Sequence, residues 1–133
     1  MFEKDNMTFK LFLMEDNSDD VILTKLALEK SKIHFSLEVV NNGQDAVKKL
    51  IGKTNILPDL ILLDINLPRM NGIEVLSSIK SELVLNKIPI VMFTSSDSPF
   101  DMKHCYENGA SLYLKKPNDI NGFMDAIKNI VNH

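Results

Sequence analysis

Four stretches of this chain carry side chains able to do chemistry, and each follows or lies near an apolar run. Asp64 directly follows Leu60-Ile61-Leu62-Leu63, and Glu15-Asp16 follows Leu11-Phe12-Leu13-Met14. Thr94 follows Ile90-Val91-Met92-Phe93, and Lys116-Pro117 comes shortly after Tyr113-Leu114. A carboxylate after four branched aliphatics reads as the end of a buried strand. Such a position lies at the carboxyl edge of a sheet, where α/β folds bind ligands. Gathered carboxylates repel one another unless a cation neutralises them. Mg²⁺ suits an all-oxygen set and keeps several waters. Asp16 and Asp64 would bind it directly, Glu15 directly or through water, and the backbone carbonyl of Asn66 would add a further ligand.

A carboxylate beside a metal can also be a nucleophile that forms an acyl phosphate. The transition state of phosphoryl transfer spreads negative charge over three oxygens, so cations and donors must surround it. Lys116 supplies a compact positive charge and Thr94 a hydroxyl. Before any phosphoryl group arrives, Lys116 would pair with Asp64. Ser95 is small enough to leave the approach open.

The elements that must position these groups alternate along the chain. Strand-like runs are expected at 10–14, 35–40, 57–63, 88–93 and 111–114. Helical patterns are expected at 18–31, 44–51, 72–85, 99–108 and 119–132. Asp16, Asn17 or Ser18 would cap the first helix. In the third, Ile73, Leu76, Ile79 and Leu83 form one stripe, and Gly109 is expected as the left-handed residue after the fourth. Five strands alternating with five helices predict an α/β three-layer sandwich with a parallel sheet and helices on both faces. The expected order is 2-1-3-4-5, flavodoxin-like, with its switch point between strands one and three beside Asp16 and Asp64. Residues 1–8 read as a short tail and 9–133 as a single domain.

Composition narrows the function. The chain has 133 residues, a formal net charge of −3 and no basic stripe, so nucleic-acid binding is not expected. No apolar run approaches membrane-spanning length, and the first residues lack a signal-peptide pattern. A lone cysteine, Cys105, agrees with a reducing, cytoplasmic setting.

Taken in order, Glu15-Asp16-Asn17, Asp64 with Leu67-Pro68-x-Met70-Asn71-Gly72, Thr94-Ser95, and Gly109-Ala110-Ser111-x-Tyr113-x-x-Lys116-Pro117 resemble the receiver domains of two-component response regulators. The spacings from Asp64 to Thr94 and from Thr94 to Lys116 agree with that family. The resemblance implies that Asp64 accepts a phosphoryl group from a sensor histidine kinase or a histidine phosphotransfer protein, with Mg²⁺ (or Mn²⁺) held by Glu15, Asp16, Asp64 and the Asn66 carbonyl. It implies that Thr94 and Tyr113 form a switch, the Tyr113 ring turning inward on phosphorylation. It also implies signalling by protein contact or phosphorelay rather than turnover, beyond slow self-dephosphorylation. Homodimerisation through the fourth helix, fifth strand and fifth helix would draw on Phe100, Tyr106, Leu112 and Tyr113. Glu15-Asp16-Asn17-x-x-Asp20, with Thr94-Ser95-Ser96, is similar to the small stand-alone regulators associated with bacterial phytochromes.

Plainer readings compete. Asp19 and Asp20 serve as first-turn acids favoured by the helix dipole. His34, His104 and His133 lack metal-type spacing, and Lys115 is solvated. Lys116 before Pro117 is held extended, and a cis bond there would aim it at the site. In the first helix, Leu23, Ala27 and Leu28 suffice for the core. Ile22 and Leu26 then lie on its flank, where they could dock a kinase's phosphohistidine domain. The alternative function is a receiver-like module that binds partners without phosphorylation, although intact Asp64, Asp16, Thr94 and Lys116 argue against it. A Mg²⁺-dependent phosphatase would need a second Asp two residues beyond Asp64, where Asn66 stands. A cofactor binder would need glycines in the loop Glu15-Asp16-Asn17-Ser18.

Overall fold

The computed structural model describes residues 8–52 and 57–132. Five strands form one parallel sheet: β1 (Phe9–Met14), β2 (Phe35–Val40), β3 (Leu60–Leu63), β4 (Ile90–Thr94) and β5 (Leu112–Lys115). Five α-helices alternate with them: α1 (Ser18–Lys30), α2 (Gly43–Gly52), α3 (Gly72–Lys80), α4 (Pro99–Glu107) and α5 (Ile120–Val131). The strand order is 2-1-3-4-5, the flavodoxin-like arrangement expected from the alternation of elements.

Strand alternation divides the apolar residues between two cores. Phe12, Met14, Ile61, Leu63, Ile90 and Met92 point to one face, where Ala46 and Leu50 of α2, Val75, Leu76 and Ile79 of α3, and Cys105 of α4 cover them. Leu11, Leu13, Leu60, Leu62, Val91 and Phe93 point to the other, beneath Ala27 and Leu28 of α1 and Phe123, Ile127 and Ile130 of α5. β3 lies between β1 and β4 and is buried on both faces, which is why it reads as an unbroken aliphatic run.

Register brings the strand ends level. Met14 pairs with Leu63, Leu63 with Met92, and Met92 with Tyr113. The ladder runs one step further: the Asp64 N–H donates to the Met14 carbonyl (3.2 Å), the Glu15 N–H to Val40 (3.0 Å) and the Lys116 N–H to Thr94 (2.7 Å). Glu15, Asp64, Thr94 and Lys116 thus share one edge.

Several elements differ from the sequence reading. β3 begins at Leu60 rather than 57, because Pro58 has no N–H for a central strand. Asp59 is tied to Lys10 there, its carboxylate accepting the Lys10 N–H (2.8 Å) and its own N–H donating to the Lys10 carbonyl (2.8 Å). α3 stops at Lys80, short of 85. The Ser81 hydroxyl donates to the Ser78 carbonyl (2.7 Å), a local bond that competes with the helix. A short 3₁₀ turn, Leu85–Lys87, follows, with Leu85 buried. Leu83 therefore leaves the expected core stripe and is 86% exposed. Thr94 closes β4 from within the strand. Gly109 has φ +100°, as expected after α4. Among the described residues no peptide bond is cis, so Lys116 reaches the site across a trans bond to Pro117, contrary to the sequence reading. Apart from Thr8, the expected N-terminal tail lies outside the described residues, as does His133; His34 and His104 are exposed.

Candidate functional site

The site forms where the sheet's carboxyl edge meets the first turn of α1. Asn17 is the N-cap of that helix and accepts the Asp20 N–H on its side chain (3.1 Å). The Asn17 N–H in turn donates to Glu15 Oε2 (3.2 Å), so the β1–α1 loop is tied to the helix start. On the far side of Asp64, the loop folds back at Arg69, with φ +69°, and the Gly72 N–H reaches the Ile65 carbonyl (2.8 Å). Any Cβ on Gly72 would collide with the Asp64 carbonyl oxygen, so this close return requires glycine.

Lys116 occupies the centre. Its ammonium donates to Glu15 Oε1 (2.7 Å), Asp20 Oδ2 (2.8 Å) and Asp64 Oδ2 (2.9 Å), which uses all three N–H groups. Asp64 and Lys116 are 6% and 7% exposed, and Glu15 is 4% exposed. Burial pushes the Glu15 carboxyl up to about 7; hydrogen bonding and attraction from Lys116 oppose the shift, and the Asp64 charge adds to it. Burial alone would lower the Lys116 ammonium, but hydrogen bonds to Asp20, Glu15 and Asp64 outweigh it and hold the group above its ordinary range.

Asp64 Oδ1 accepts only the Asn66 N–H (3.2 Å) among the described contacts. Three carboxylates around one ammonium, when all are ionised, leave an excess of negative charge and an oxygen-only donor set. Both suit a hard divalent cation. No three acidic, histidine or cysteine side chains among the described residues are already arranged as a metal site, because Glu15 and Asp64 are turned onto Lys116. Asp16 and Asn66, each next or next but one in sequence to these acids, are exposed residues.

Thr94 is fully buried as a residue, and its hydroxyl accepts the Ser96 N–H (3.4 Å). The Tyr113 ring is buried and already turned inward, its hydroxyl donating to the Ser96 carbonyl (2.9 Å). Burial raises the Tyr113 phenol, with the Ser96 bond opposing it. Tyr113 therefore does not contribute to the apolar face expected around α4 and β5, where Phe100, Tyr106 and Leu112 are exposed. The Tyr106 hydroxyl instead accepts the Tyr113 N–H (2.9 Å), joining α4 to the open edge of β5. Ser96 Oγ donates to Asp101 Oδ2 (2.7 Å), so the β4–α4 loop meets the start of α4.

Sequence reasoning brought Glu15, Asp64, Thr94 and Lys116 to one edge, and there they stand. It missed Asp20 as a partner of Lys116, treating it as a first-turn acid. The signal was available: Asp20 is the third residue after its N-cap, on the helical turn that begins beside Glu15.

The pattern of the described site has counterparts among known proteins. The family model for the response regulator receiver domain matches residues 11–128. Response regulator Rcp1 of Synechocystis sp. (strain ATCC 27184 / PCC 6803 / Kazusa) is 31% identical over 134 residues, covering 98% of this chain and 91% of Rcp1. The structure of the phosphorylated cyanobacterial phytochrome response regulator RcpA superposes with a TM-score of 0.88 at 35% identity, covering 92% of this chain and 91% of that one. The Mn²⁺-bound form of Rcp1 superposes with a TM-score of 0.86 at 32% identity, covering 92% and 91%. Other relatives are longer, and the chain spans 54% of one and 49% of another. Fold, site geometry and these likenesses agree: the chain belongs to the response regulator receiver domain family.

Proposed function

We propose that this chain is a phosphoacceptor switch of a two-component system. The observation that carries the reading is Asp64, buried at the end of the central strand and ion-paired at 2.9 Å with Lys116. A sensor histidine kinase or a histidine phosphotransfer protein is the donor. An Asp64 carboxylate oxygen forms a bond to phosphorus as the bond from phosphorus to the imidazole nitrogen breaks, and the imidazole takes the electron pair. Glu15, Asp16, Asp64 and the Asn66 carbonyl would hold Mg²⁺, or Mn²⁺, which neutralises charge on the phosphoryl oxygens. The Mn²⁺-bound form of Rcp1 supports a divalent ion here.

Lys116 exchanges the Asp64 carboxylate for a phosphoryl oxygen and remains close to the acceptor. The Thr94 hydroxyl leaves the Ser96 N–H for a second phosphoryl oxygen. Because Ser96 is also bonded to Tyr113 and Asp101, that change pulls on the start of α4. The signal leaves by phosphorylation-dependent protein contact or by relay, with slow self-dephosphorylation and no catalytic turnover of a substrate.

Residues 9–133 act as one receiver domain in the cytoplasm; among the described residues no helix is long and apolar enough to cross a membrane. The likeness to RcpA points to a phytochrome-linked kinase as the donor. Ile22 and Leu26, 56% and 41% exposed on α1, supply an apolar docking strip for its phosphohistidine domain. The exposed Phe100, Tyr106 and Leu112 supply a face for a homodimer through α4, β5 and α5.

The test is incubation with acetyl phosphate and Mg²⁺, followed by intact-mass measurement. One phosphoryl group should be gained, and the gain should vanish in Asp64→Asn and without divalent metal. No gain under any condition would sink the proposal and favour a module that binds partners without phosphorylation.

A further inference from the structure

Among the described contacts, Asp20 is joined to the acceptor through Lys116 alone. Its Oδ2 accepts from the Lys116 ammonium at 2.8 Å, and its side chain is 19% exposed, against 7% for Lys116. Its backbone is fixed from both directions: the Asp20 N–H donates to the Asn17 side chain, and the Thr24 hydroxyl donates to the Asp20 carbonyl (2.8 Å). These bonds close a ring. Lys116 bonds Glu15 Oε1, Glu15 Oε2 bonds the Asn17 N–H, Asn17 Oδ1 bonds the Asp20 N–H, and Asp20 Oδ2 returns to Lys116. Held this way, a four-carbon side chain with several free torsions has one ammonium position.

We propose that Asp20 is a positioning residue for phosphoryl transfer, holding Lys116 beside Asp64 before and after the phosphoryl group arrives. This rests on the phosphoacceptor reading above. The reasoning turns on which partners of Lys116 have other duties. Asp64 gives one oxygen to phosphorus and cannot remain an unmodified carboxylate. Glu15 belongs to the set that would hold a divalent cation. Asp20 alone has no second role in that scheme, so it remains on the ammonium throughout. The N–H released by Asp64 then points to a phosphoryl oxygen without a search through rotamers.

The experiment follows phosphorylation by acetyl phosphate at saturating Mg²⁺, using intact mass against time. In that reaction an Asp64 oxygen bonds to phosphorus, the bond from phosphorus to the acetate oxygen breaks, and acetate leaves with the electron pair. Parent, Asp20→Ala, Asp20→Asn, Lys116→Met and Asp20→Ala/Lys116→Met chains are compared. Asp20→Ala should slow the maximal rate about tenfold, as loss of one charge-assisted hydrogen bond implies, with the half-saturating acetyl phosphate concentration unchanged. Asp20→Asn keeps an acceptor of the same shape and should fall between parent and Ala. In the Lys116→Met background, adding Asp20→Ala should change the rate less than about twofold, because the group through which Asp20 acts is gone.

Equal slowing in both backgrounds, or no slowing with Lys116 present, overturns the proposal. A parent chain that takes up no phosphoryl group overturns the phosphoacceptor reading and this inference with it. Should Lys116→Met fail to fold, the ¹⁵N signal of the Lys116 ammonium decides. Its protons should exchange faster with water in Asp20→Asn than in the parent, and unchanged exchange refutes the positioning role.

Discussion

Lys116→Met should convert the site into a defect whose size depends on pH. The ammonium is 7% exposed and within 2.9 Å of three carboxylate oxygens. Removing one member of a buried ion pair leaves uncompensated charge and costs about 3–5 kcal/mol. For a chain of this size each kcal/mol moves the unfolding midpoint by about 3–5 °C, so the fall is roughly 10–25 °C at about pH 8.5. Acid should relieve it. Burial already holds Glu15 up to about 7, and loss of Lys116 removes what opposes that shift. The folded variant then keeps a proton that the unfolded chain releases above about pH 4.5, so its stability falls as pH rises through the neutral range. At about pH 5.5 the penalty should shrink to roughly half or less, and Mg²⁺ at a hundredfold excess over its dissociation constant should return about 2.7 kcal/mol. The assay is thermal and urea unfolding followed by circular dichroism, since the chain has no tryptophan. A loss below about 1 kcal/mol at the higher pH, or the same loss at both, would refute the view that Lys116 neutralises buried carboxylates.

Four other outcomes follow from the same contacts. The metal-free parent should lose stability as pH climbs from about 4.5 through about 7, because the folded Glu15 carboxyl holds its proton longer than the unfolded one; the ceiling is about 3 kcal/mol, and Glu15→Gln should flatten the slope in unfolding curves taken across that range. Gly72→Ala places a methyl on the Asp64 carbonyl oxygen and should cost about 1–3 kcal/mol in urea unfolding, whereas Gly52→Ala, with nothing near its Cβ, should cost less than about 1 kcal/mol. Tyr113→Phe removes the bond to the Ser96 carbonyl and should cost about 1 kcal/mol, measured as a shift in urea midpoint at constant m-value. Ile22→Ala with Leu26→Ala should slow phosphotransfer from the cognate kinase while leaving acetyl phosphate labelling as in the parent; equal rates with the kinase would remove the docking role.

What could be read from the sequence divides along a physical line. Strand runs such as Leu60-Ile61-Leu62-Leu63 have only one place in a covered parallel sheet, so burial, order and the polar residue at each end could be read directly. The end of α3 could not. Leu83 continues the apolar spacing, but the Ser81 hydroxyl bonds Ser78 and the helix ends at Lys80, a competition that periodicity does not register. The inward Tyr113 ring was equally hidden, since its hydroxyl bonds the Ser96 carbonyl, 17 residues earlier in the β4–α4 loop, a contact that local patterning does not register.

Asp20 shows why a site is harder to read than a fold. Its type and position satisfy the rule that acids favour the first turn of a helix, and that rule suffices to explain it. The second role depends on Lys116, 96 residues away, arriving from the end of β5. One residue thus meets a local preference and a long-range demand together, and the local one, which suffices to explain an acid there, masks the other. The two also reinforce each other. The cap by Asn17 fixes the Asp20 backbone, that backbone aims the carboxylate at Lys116, and Lys116 in turn neutralises the acids at the ends of β1 and β3. Helix capping is therefore part of how the acceptor's electrostatics are set, and Asn17→Ala should disturb Lys116 as well as the helix it caps.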